Sequence, residues 1–436
     1  MKRDSDRDRE IGIKPDIGVE PAIDEGGLSL HNLKTFTSLK NPVYRLYFLG
    51  MLGQRASMNM QMMTRSLLIF RITGSAAILG MTSLFNAVPQ LALSLFGGVI
   101  ADRVQKKYVL LAGLASSAVV SLGVALALTL GYLSVERSGS WWILAVASLF
   151  QGSIMGLMIP SRQAIIPEIV NEEQIMNAIS LDALGMNTLR IMAPALSGFL
   201  IDAIGFKAVY FTMTGMYLIG LVFIALMPLT STMTIRGSGA FAEIKEGFHY
   251  LRQESSLLII LAFSLFTVVL SMPYMLLLPV FTEDVLKVSA SGLGVLISAS
   301  GAGALVGSLV LASLPNRKRG FMLLASSLTL GLALAGFSFS SSWSLSLALI
   351  VFVGLGQAGR MSLSNTLLQS YSEEEYRGRI MSIYMMQFGL QSFSSFAAGL
   401  LAEGVGIQWA IGGFAMVLVF LCIMALFFVP RLRKLD

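Results

Sequence analysis

The 436-residue chain contains one cysteine and two histidines. The single cysteine, Cys422, cannot form an internal disulfide or a metal site built from several thiolates. His31 and His249 both lie outside the long apolar segments, and we expect each to be an ordinary solvated or interfacial histidine. The sequence therefore predicts no metal site and no cofactor.

Charged residues are also scarce, at 13% of the chain, whereas hydrophobic residues make up 55%. A soluble protein needs polar surface on nearly every element, yet apolar segments of about 20 residues or more recur along this chain. These features predict a polytopic membrane protein. An enzyme is disfavoured because no nucleophile, base and orienting residue lie at one membrane depth, and ATP hydrolysis because the chain lacks a Gly-x-x-x-x-Gly-Lys-Ser/Thr phosphate loop.

Apolar runs and the turn residues between them predict an all-α protein with twelve transmembrane helices. The predicted spans cover residues 43–70, 75–101, 108–133, 141–169, 174–204, 206–229, 256–282, 289–314, 320–340, 343–371, 376–403 and 408–430. A charged stretch over residues 1–27 predicts a disordered tail. An amphipathic surface segment follows it at His31–Asn41.

A hydrophilic connector at residues 230–255 divides the twelve spans into two sets of six. This predicts two six-helix bundles at residues 42–229 and 256–430, joined by a cytoplasmic linker. The remaining parts are a cytoplasmic tail and surface segment at residues 1–41 and a short cytoplasmic tail at residues 431–436.

The linker and the two halves show further patterns. Apolar residues recur at helical spacing from Phe241 to Leu251, which predicts an amphipathic helix over Ala240–Arg252. The segment that ends at Asp202 resembles the segment that ends at Glu403, and each acid stands just before a glycine and the next span. Internal duplication with six spans in each half is typical of transporters built from two bundles around a central site.

Basic residues are distributed unevenly between the two sides of the predicted topology. With the N-terminus inside, the cytoplasmic segments hold 23 lysines and arginines and the external segments hold 4. The positive-inside rule therefore predicts that both termini are cytoplasmic. The net charge of +6 does not indicate nucleic-acid binding, because these bases are dispersed among loops.

The connector between predicted spans two and three reads Gly98-Val-Ile-Ala-Asp102-Arg103-Val-Gln-Lys106-Lys107. This resembles the loop motif of the major facilitator superfamily, Gly-x-Leu-Ala-Asp-Arg-x-Gly-Arg-Arg, although Gln105 replaces the second glycine. Further segments are similar to the branch that includes the enterobactin exporter and related bacterial exporters. These segments are Ile72–Ser75, Pro160–Glu168, Phe241–Phe248, Ser291–Gly294 and Asn365–Gln369.

The resemblance implies a conformational gate at this loop. Asp102 would hold the two halves together on the cytoplasmic side in the outward-open state, with Arg103 or Arg377 as its partner. Gly98 is expected to permit close helix approach. Lys106 belongs to the same motif and is also explained as a topological charge.

Several span residues are candidate substrate contacts, since a charge in hydrocarbon costs at least ~2.5 kcal/mol unless it faces a wet cavity or a partner. In span one, Arg55, Met58, Met62 and Arg65 follow at steps of three and four, and Gln61 borders the same face. The resemblance implies that spans one, four, seven and ten line a central cavity, so this face is a candidate wall. The side chain of Arg65 can instead extend toward the outer headgroups.

Arg360 in span ten, Gln151 in span four and Gln387 in span eleven are further candidate contacts. Each also has a structural explanation, because the arginine can pair with a backbone carbonyl and the glutamines can form interhelical hydrogen bonds. The 25 methionines are mainly packing residues, but those on the cavity helices suit an adaptable apolar surface. Together with arginines and few acids, they predict an amphipathic or anionic ligand.

Asp182 and Arg190 in span five lie eight residues, or about two turns, apart on one face. Burial favours the neutral form of a carboxyl group, so this pair is the candidate for proton coupling, with an internal ion pair as the alternative for Asp182. The antiporter pattern of the family is incomplete. Its first-span acid falls on Met58 and its span-four arginine falls on Ser148.

These features predict a secondary transporter that works by alternating access and exports an amphipathic or anionic small molecule, siderophore-like or drug-like, with proton coupling as an option. A transporter of lysophospholipids or other lipids and a non-transporting membrane receptor or scaffold are the alternatives. We expect a monomer in the bacterial inner membrane, whose partners are a small-molecule substrate, the lipid bilayer and protons.

Overall fold

The computed structural model describes residues 34–229, 246–247, 249–252, 254–315 and 317–435. The predicted disordered tail lies outside these ranges. So do Phe241, Ile244 and Phe248 of the predicted linker helix, although the described residues from Glu246 to Arg252 are helical.

The first half of the described chain contains six long helices. They are α1 (Pro42–Thr73), α2 (Ala76–Arg103), α3 (Lys106–Thr129), α4 (Trp142–Ile169), α5 (Ile175–Ile204) and α6 (Phe206–Ala225). A short 3₁₀ helix at Lys34–Lys40 precedes them. It lies against the start of α5, where the Ser38 amide donates to Asn177 Oδ1 at 2.9 Å.

The second half repeats this arrangement with two interruptions. Its helices are α7 (Ser255–Ser271), α8 (Pro273–Asp284), α9 (Ala290–Ser313), α10 (Arg319–Ser338), α11 (Trp343–Tyr371), α12 (Glu374–Met385), α13 (Gln387–Val405) and α14 (Ile407–Phe428). A final short helix covers Pro430–Arg433.

Spans seven and eleven are each broken at one methionine, which the sequence interpretation did not predict. Met272 separates α7 from α8, and Met386 separates α12 from α13. Pro273 explains the first break, because proline has no N–H to donate to the helix ladder. Both methionines keep right-handed helical backbone angles, and at each the carbonyl accepts from the residue three positions ahead, as in a 3₁₀ turn. The Met386 carbonyl also accepts from the amide of Leu390, so this interruption is a local tightening of the helix.

Ten helical segments of the described chain are long and apolar enough to cross a membrane. The pair α7–α8 forms one of them. Helix α1 and the pair α12–α13, which contain more polar and charged residues, complete the twelve predicted spans. The observed helix ends lie within a few residues of the predicted ones.

The helices form two six-span bundles that meet along two seams. Within the first bundle, α2 packs against α4 and α3 packs against α6, while α1 contacts both α5 and α6. Within the second, α11 packs against α9 and α10, and α10 packs against α14. The seams join α5 to α9 and α2 to α13. This is the predicted all-α fold.

Glycines allow the backbones at both seams to approach closely. A Cβ at Gly198 of α5 would lie 2.3 Å from the carbonyl oxygen of Ala290 in α9, and a Cβ at Gly399 of α13 would lie 2.4 Å from that of Ala76 in α2. Because both glycines belong to the repeated segment, the duplication produces two equivalent seams.

The close approach predicted at Gly98 occurs instead at its neighbour. A Cβ at Gly98 would meet no described atom within 4 Å, whereas a Cβ at Gly97 would lie 2.5 Å from the carbonyl oxygen of Gly156 in α4. The prediction for Gly98 is therefore wrong. Successive helix residues point about 100° apart, so only one of the two glycines faces α4.

Candidate substrate site and gates

A buried ion pair joins α1 to α5. Arg55 Nη2 lies 2.5 Å from Asp182 Oδ2, and Arg55 Nη1 donates to the carbonyl oxygen of the same aspartate at 3.1 Å. The arginine side chain is 4% exposed and the aspartate side chain 20% exposed. Asp182 Oδ1 is buried and accepts no hydrogen bond within the described chain. Asp182 thus has Arg55 as its ion-pair partner, and the pair fixes α1 against α5.

Other polar groups surround this pair. Arg162 Nη1 in α4 donates to Gln54 Oε1 at 3.2 Å, and the Tyr47 hydroxyl donates to the carbonyl oxygen of Arg162 at 3.2 Å. The Tyr44 hydroxyl donates to the carbonyl oxygen of Ala178 in α5 at 2.7 Å. The first bundle therefore contains a polar layer that links α1, α4 and α5. Arg162 lies within predicted span four, where it was counted only as one of the cytoplasmic bases, and this role was not predicted.

The other predicted residues of α1 do not share one environment. Met58 and Met62 are exposed, whereas Gln61 is buried. Arg65 is half-buried and lies near Tyr210 and Tyr217 of α6. Arg55 therefore faces α5 and Arg65 faces α6. The residues of span one that were predicted to form one wall of a cavity do not lie on a single surface.

A cavity of about 240 Å³ lies between the two bundles. Helix α5 contributes Asn187 and Arg190, while α9 and α11 contribute the facing side. Its polar lining consists of Asn187, Arg190, Ser308, Gln357, Ser362 and Asn365. A guanidinium group, three amides and two hydroxyls thus surround one space, together with apolar atoms of Leu305 and Met361. We call this space the inter-bundle cavity.

Arg190 is the charged residue of the inter-bundle cavity. The structure brings it to this cavity and not to Asp182, which pairs with Arg55. Asn187, Gln357 and Asn365 were not predicted from the sequence as lining residues of a binding cavity. A usable signal was present, because Asn187 lies one helical turn before Arg190, and Gln357 and Asn365 lie two turns apart on α11.

Gln357 connects the inter-bundle cavity to the break in span seven. Its Oε1 accepts from the Tyr274 hydroxyl at 3.5 Å, and its Nε2 lies 3.5 Å from Met272 Sδ. Both contacts are long and therefore weak. The polar lining of the cavity is thus in contact with the residue at which α7 ends.

The remaining predicted contacts are buried away from this cavity. Gln151 Nε2 donates to Ser117 Oγ of α3 at 3.4 Å, which is an interhelical hydrogen bond. Arg360 is 1% exposed, lies near Tyr384 and has two guanidinium nitrogens without a hydrogen-bond partner in the described chain. Gln387 is 4% exposed, and both polar atoms of its side chain also lack partners there.

We call the face at which α1 begins and α14 ends the tail face. The loop motif lies on this face, and the side chain of Asp102 is outside the described part of the structure. Arg103 and Arg377 are exposed. Lys106 Nζ lies 2.5 Å from Glu168 Oε1, an ion pair between α3 and α4. The described part of the motif therefore strengthens the first bundle.

The face opposite the tail face is held together by contacts between the bundles. Asp202, at the end of α5, accepts hydrogen bonds from the amides of Ala290 and Ser291 at the start of α9, at 3.2 and 2.8 Å. Glu403, near the end of α13, accepts from the Ser75 hydroxyl and, at 3.2 Å, from the Ala77 amide at the start of α2. Each acid therefore satisfies free helix amides of the other bundle, and we call these contacts the cross caps.

An ion pair adds to the cross caps on the same face. Arg71 Nε at the end of α1 lies 2.6 Å from Glu283 Oε1 of α8. The first and second bundles are thus joined at three points on this face.

A family model described as transmembrane secretion effector matches residues 33–436. The chain belongs to this family of major facilitator transporters. It is a membrane transporter and not an enzyme, and the predicted exporter branch is confirmed. The match also favours transport over the receptor or scaffold alternative.

Three curated proteins are similar to this chain over most of their length. The staphyloferrin A transporter of Staphylococcus aureus is 23% identical over 366 residues, which cover 83% of this chain and 90% of the relative. The macrolide efflux protein A of Streptococcus pyogenes is 22% identical over 88% of this chain and 96% of its own length. The enterobactin exporter of Escherichia coli is 26% identical over 83% of this chain and 84% of its own length.

The solved structures show the same fold. The nucleoside transporter NupG superposes with a TM-score of 0.73 at 14% sequence identity, covering 89% of this chain and 100% of that chain. The family match and the exporter relatives show a multi-span protein of the bacterial inner membrane with a small-molecule substrate.

We predict that the Arg55–Asp182 pair is essential for the stability of the first bundle. Asp182→Asn leaves a buried arginine without its counter-charge and should destabilise the protein by about 3 kcal/mol. The double variant Arg55→Gln/Asp182→Asn should recover much of this loss. Thermal unfolding of the purified protein in detergent measures both effects.

The matched control is Glu246→Gln, which removes the more exposed ion pair between Glu246 and Arg379. An exposed pair contributes about 1 kcal/mol or less, so its loss should shift the melting temperature only slightly. Equal shifts for Asp182→Asn and Glu246→Gln would contradict the prediction.

Proposed function

We propose that this protein is a secondary transporter that exports an amphipathic or anionic small molecule by alternating access. The names of its relatives support a substrate of this kind, since two are transporters of siderophores and one is a macrolide efflux protein. The chemistry of the inter-bundle cavity supports the same substrate class.

The observation that carries the proposal is the polar lining shared between the bundles. Arg190 comes from the first bundle, and Ser308, Gln357 and Asn365 come from the second. A guanidinium group binds carboxylates and other oxyanions with charge-assisted hydrogen bonds, and amides and hydroxyls add neutral donors. Leu305 and Met361 offer apolar contact to the rest of the ligand. A ligand that contacts both bundles can bind two conformational states with different affinities, and it then shifts the equilibrium between these states.

The cross caps supply the gate of this mechanism. With both termini in the cytoplasm, the face opposite the tail face is external, and the arrangement described above is closed to the outside. Opening to the outside then requires Asp202 and Glu403 to release the amides at the starts of α9 and α2. Their loss should therefore favour the outward-open state.

Asp182 is the proposed site of proton coupling. Protonation would remove its charge and weaken its contact with Arg55, so proton binding and the α1–α5 contact are linked. Its buried, unpartnered Oδ1 and its 20% exposure leave room for a proton and for access to water.

The first test concerns the ligand site. Arg190→Gln should weaken binding of an anionic ligand by about tenfold or more, because the hydrogen bonds to a charged group are each worth about 1.5–3 kcal/mol. Staphyloferrin A, enterobactin and a macrolide can be screened by thermal shift, and the strongest ligand can then be titrated. Arg137→Gln, which changes an exposed arginine in a loop, is the control. Unchanged affinity in Arg190→Gln would refute the assignment of this cavity.

The second test concerns the gate. In a background with Cys422→Ala and Ser395→Cys, the new thiol is buried at the α2–α13 seam. Glu403→Gln should increase its labelling by a membrane-impermeant maleimide applied from outside by about tenfold, as expected for loss of one charge-assisted contact. Glu136→Gln, an exposed acid in the loop before α4, should leave labelling unchanged. Equal labelling in all variants would rule out a gating role for this cap.

The third test concerns proton coupling. The double variant Arg55→Gln/Asp182→Asn should bind ligand but lose transport driven by a pH gradient in proteoliposomes, because it has no group at this site that can release a proton. Using the double variant separates coupling from the instability of Asp182→Asn. Gradient-driven transport at the rate of the unmodified protein would remove Asp182 from this role.

A further inference from the structure

A second cavity, of about 290 Å³, lies on the tail face, apart from the inter-bundle cavity. It is bounded by the end of the linker helix, by α7 and by the break between α12 and α13. Its walls are aliphatic and include Leu261, Leu265, Ile383 and Leu390. It shares no lining residue with the inter-bundle cavity. We call it the linker groove.

Three residues with polar groups interrupt these apolar walls. The Tyr384 hydroxyl donates to the carbonyl oxygen of Met361 at 3.5 Å, so two of the three, Gln387 and Arg252, are available to a bound molecule. Gln387 lines the groove, is 4% exposed, and has neither a donor nor an acceptor partner for its amide within the described chain. A buried amide without partners is unfavourable, so a polar atom of a bound molecule would stabilise it. Arg252 lines the same groove, is exposed, and forms no ion pair with any described acid.

The linker helix is held in place beside the groove. Arg379 Nη1 of α12 lies 3.1 Å from Glu246 Oε1, and the rings of Tyr250 and Tyr376 stack with their centroids 4.2 Å apart. These contacts join the linker to the first part of span eleven. Since Arg252 follows Tyr250 by two residues, they also keep its guanidinium group near the groove.

We propose that the linker groove binds one anionic phospholipid. The aliphatic walls accept part of an acyl chain, Arg252 pairs with the phosphate group, and the Gln387 amide bonds with the ester region. Charge complementarity selects this occupant, because a neutral apolar molecule would leave the buried Gln387 amide unpaired and would not interact with the charge of Arg252. A membrane surface supplies anionic lipids to basic residues at its boundary. The bound lipid braces the linker and α12 against α7, and this role is independent of the transported substrate.

The experiment measures lipid-dependent stability of the delipidated, full-length protein in a neutral detergent. Phosphatidylglycerol and phosphatidylcholine with identical acyl chains are titrated, and the melting temperature is followed. Phosphatidylglycerol should bind more tightly to the unmodified protein. Arg252→Gln should weaken its binding about fivefold, the effect of one basic residue near an anionic headgroup, and remove most of the preference. Arg317→Gln, another exposed base of the described second half, is the matched control.

A second variant tests the apolar part of the groove. Leu261→Trp fills the cavity and should therefore prevent lipid binding. Native mass spectrometry of protein purified without delipidation should show loss of the copurifying phospholipid, even where the substitution itself alters the melting temperature. Retention of the lipid by both Leu261→Trp and Arg252→Gln would overturn the proposal.

Two further outcomes would also overturn it. If glycerol 3-phosphate stabilises the protein as well as phosphatidylglycerol does, the site recognises a free phosphate and not a lipid. If proteoliposomes move phosphatidylglycerol between leaflets and Leu261→Trp stops this movement, the groove belongs to a transport path for lipids and does not hold a resident lipid.

Discussion

Helix amides on the face opposite the tail face depend on acids from the opposite bundle. The first amides of a helix have no partner within that helix, so acceptors from outside the helix stabilise them. Asp202 meets this need at the start of α9, and Glu403 meets it at the start of α2. When the two seams close, the free amides at the starts of α9 and α2 therefore gain their hydrogen-bond acceptors. Each cross-cap contact is either formed or replaced by water, which favours two distinct arrangements of the seams over a continuous range.

Much of the fold could be predicted because membrane helices have a strong one-dimensional signal. Long apolar runs gave the span count, and the repeat around Asp202 and Glu403 indicated two similar halves. Neither pattern reports local backbone breaks, so the interruption at Met386, which has no proline beside it, could not be predicted. Pro273 did mark the other break. Gly97 and Gly98 were indistinguishable in sequence, because only the direction of α4 determines which glycine matters.

The candidate site was harder to predict because partners lie far apart in the chain. Arg55 and Asp182 were both recognised as charges within spans, yet their pairing depends on how α1 packs against α5. The polar lining of the inter-bundle cavity comes from three helices and consists mainly of neutral amides and hydroxyls. Amides in spans commonly form interhelical hydrogen bonds, as Gln151 does, so their sequence positions alone do not separate ligand contacts from packing.

The breaks at Met272 and Met386 fall in the second half only, whereas the corresponding first-half spans, α1 and α5, are continuous helices of 32 and 30 residues. Helices bend most readily where their hydrogen-bond ladder is interrupted. The two halves therefore differ in where their helices can bend. In the second half these positions are Met272 and Met386, whereas in α5 the ladder is interrupted at Pro194, so a repeated architecture has bending positions that are not repeated.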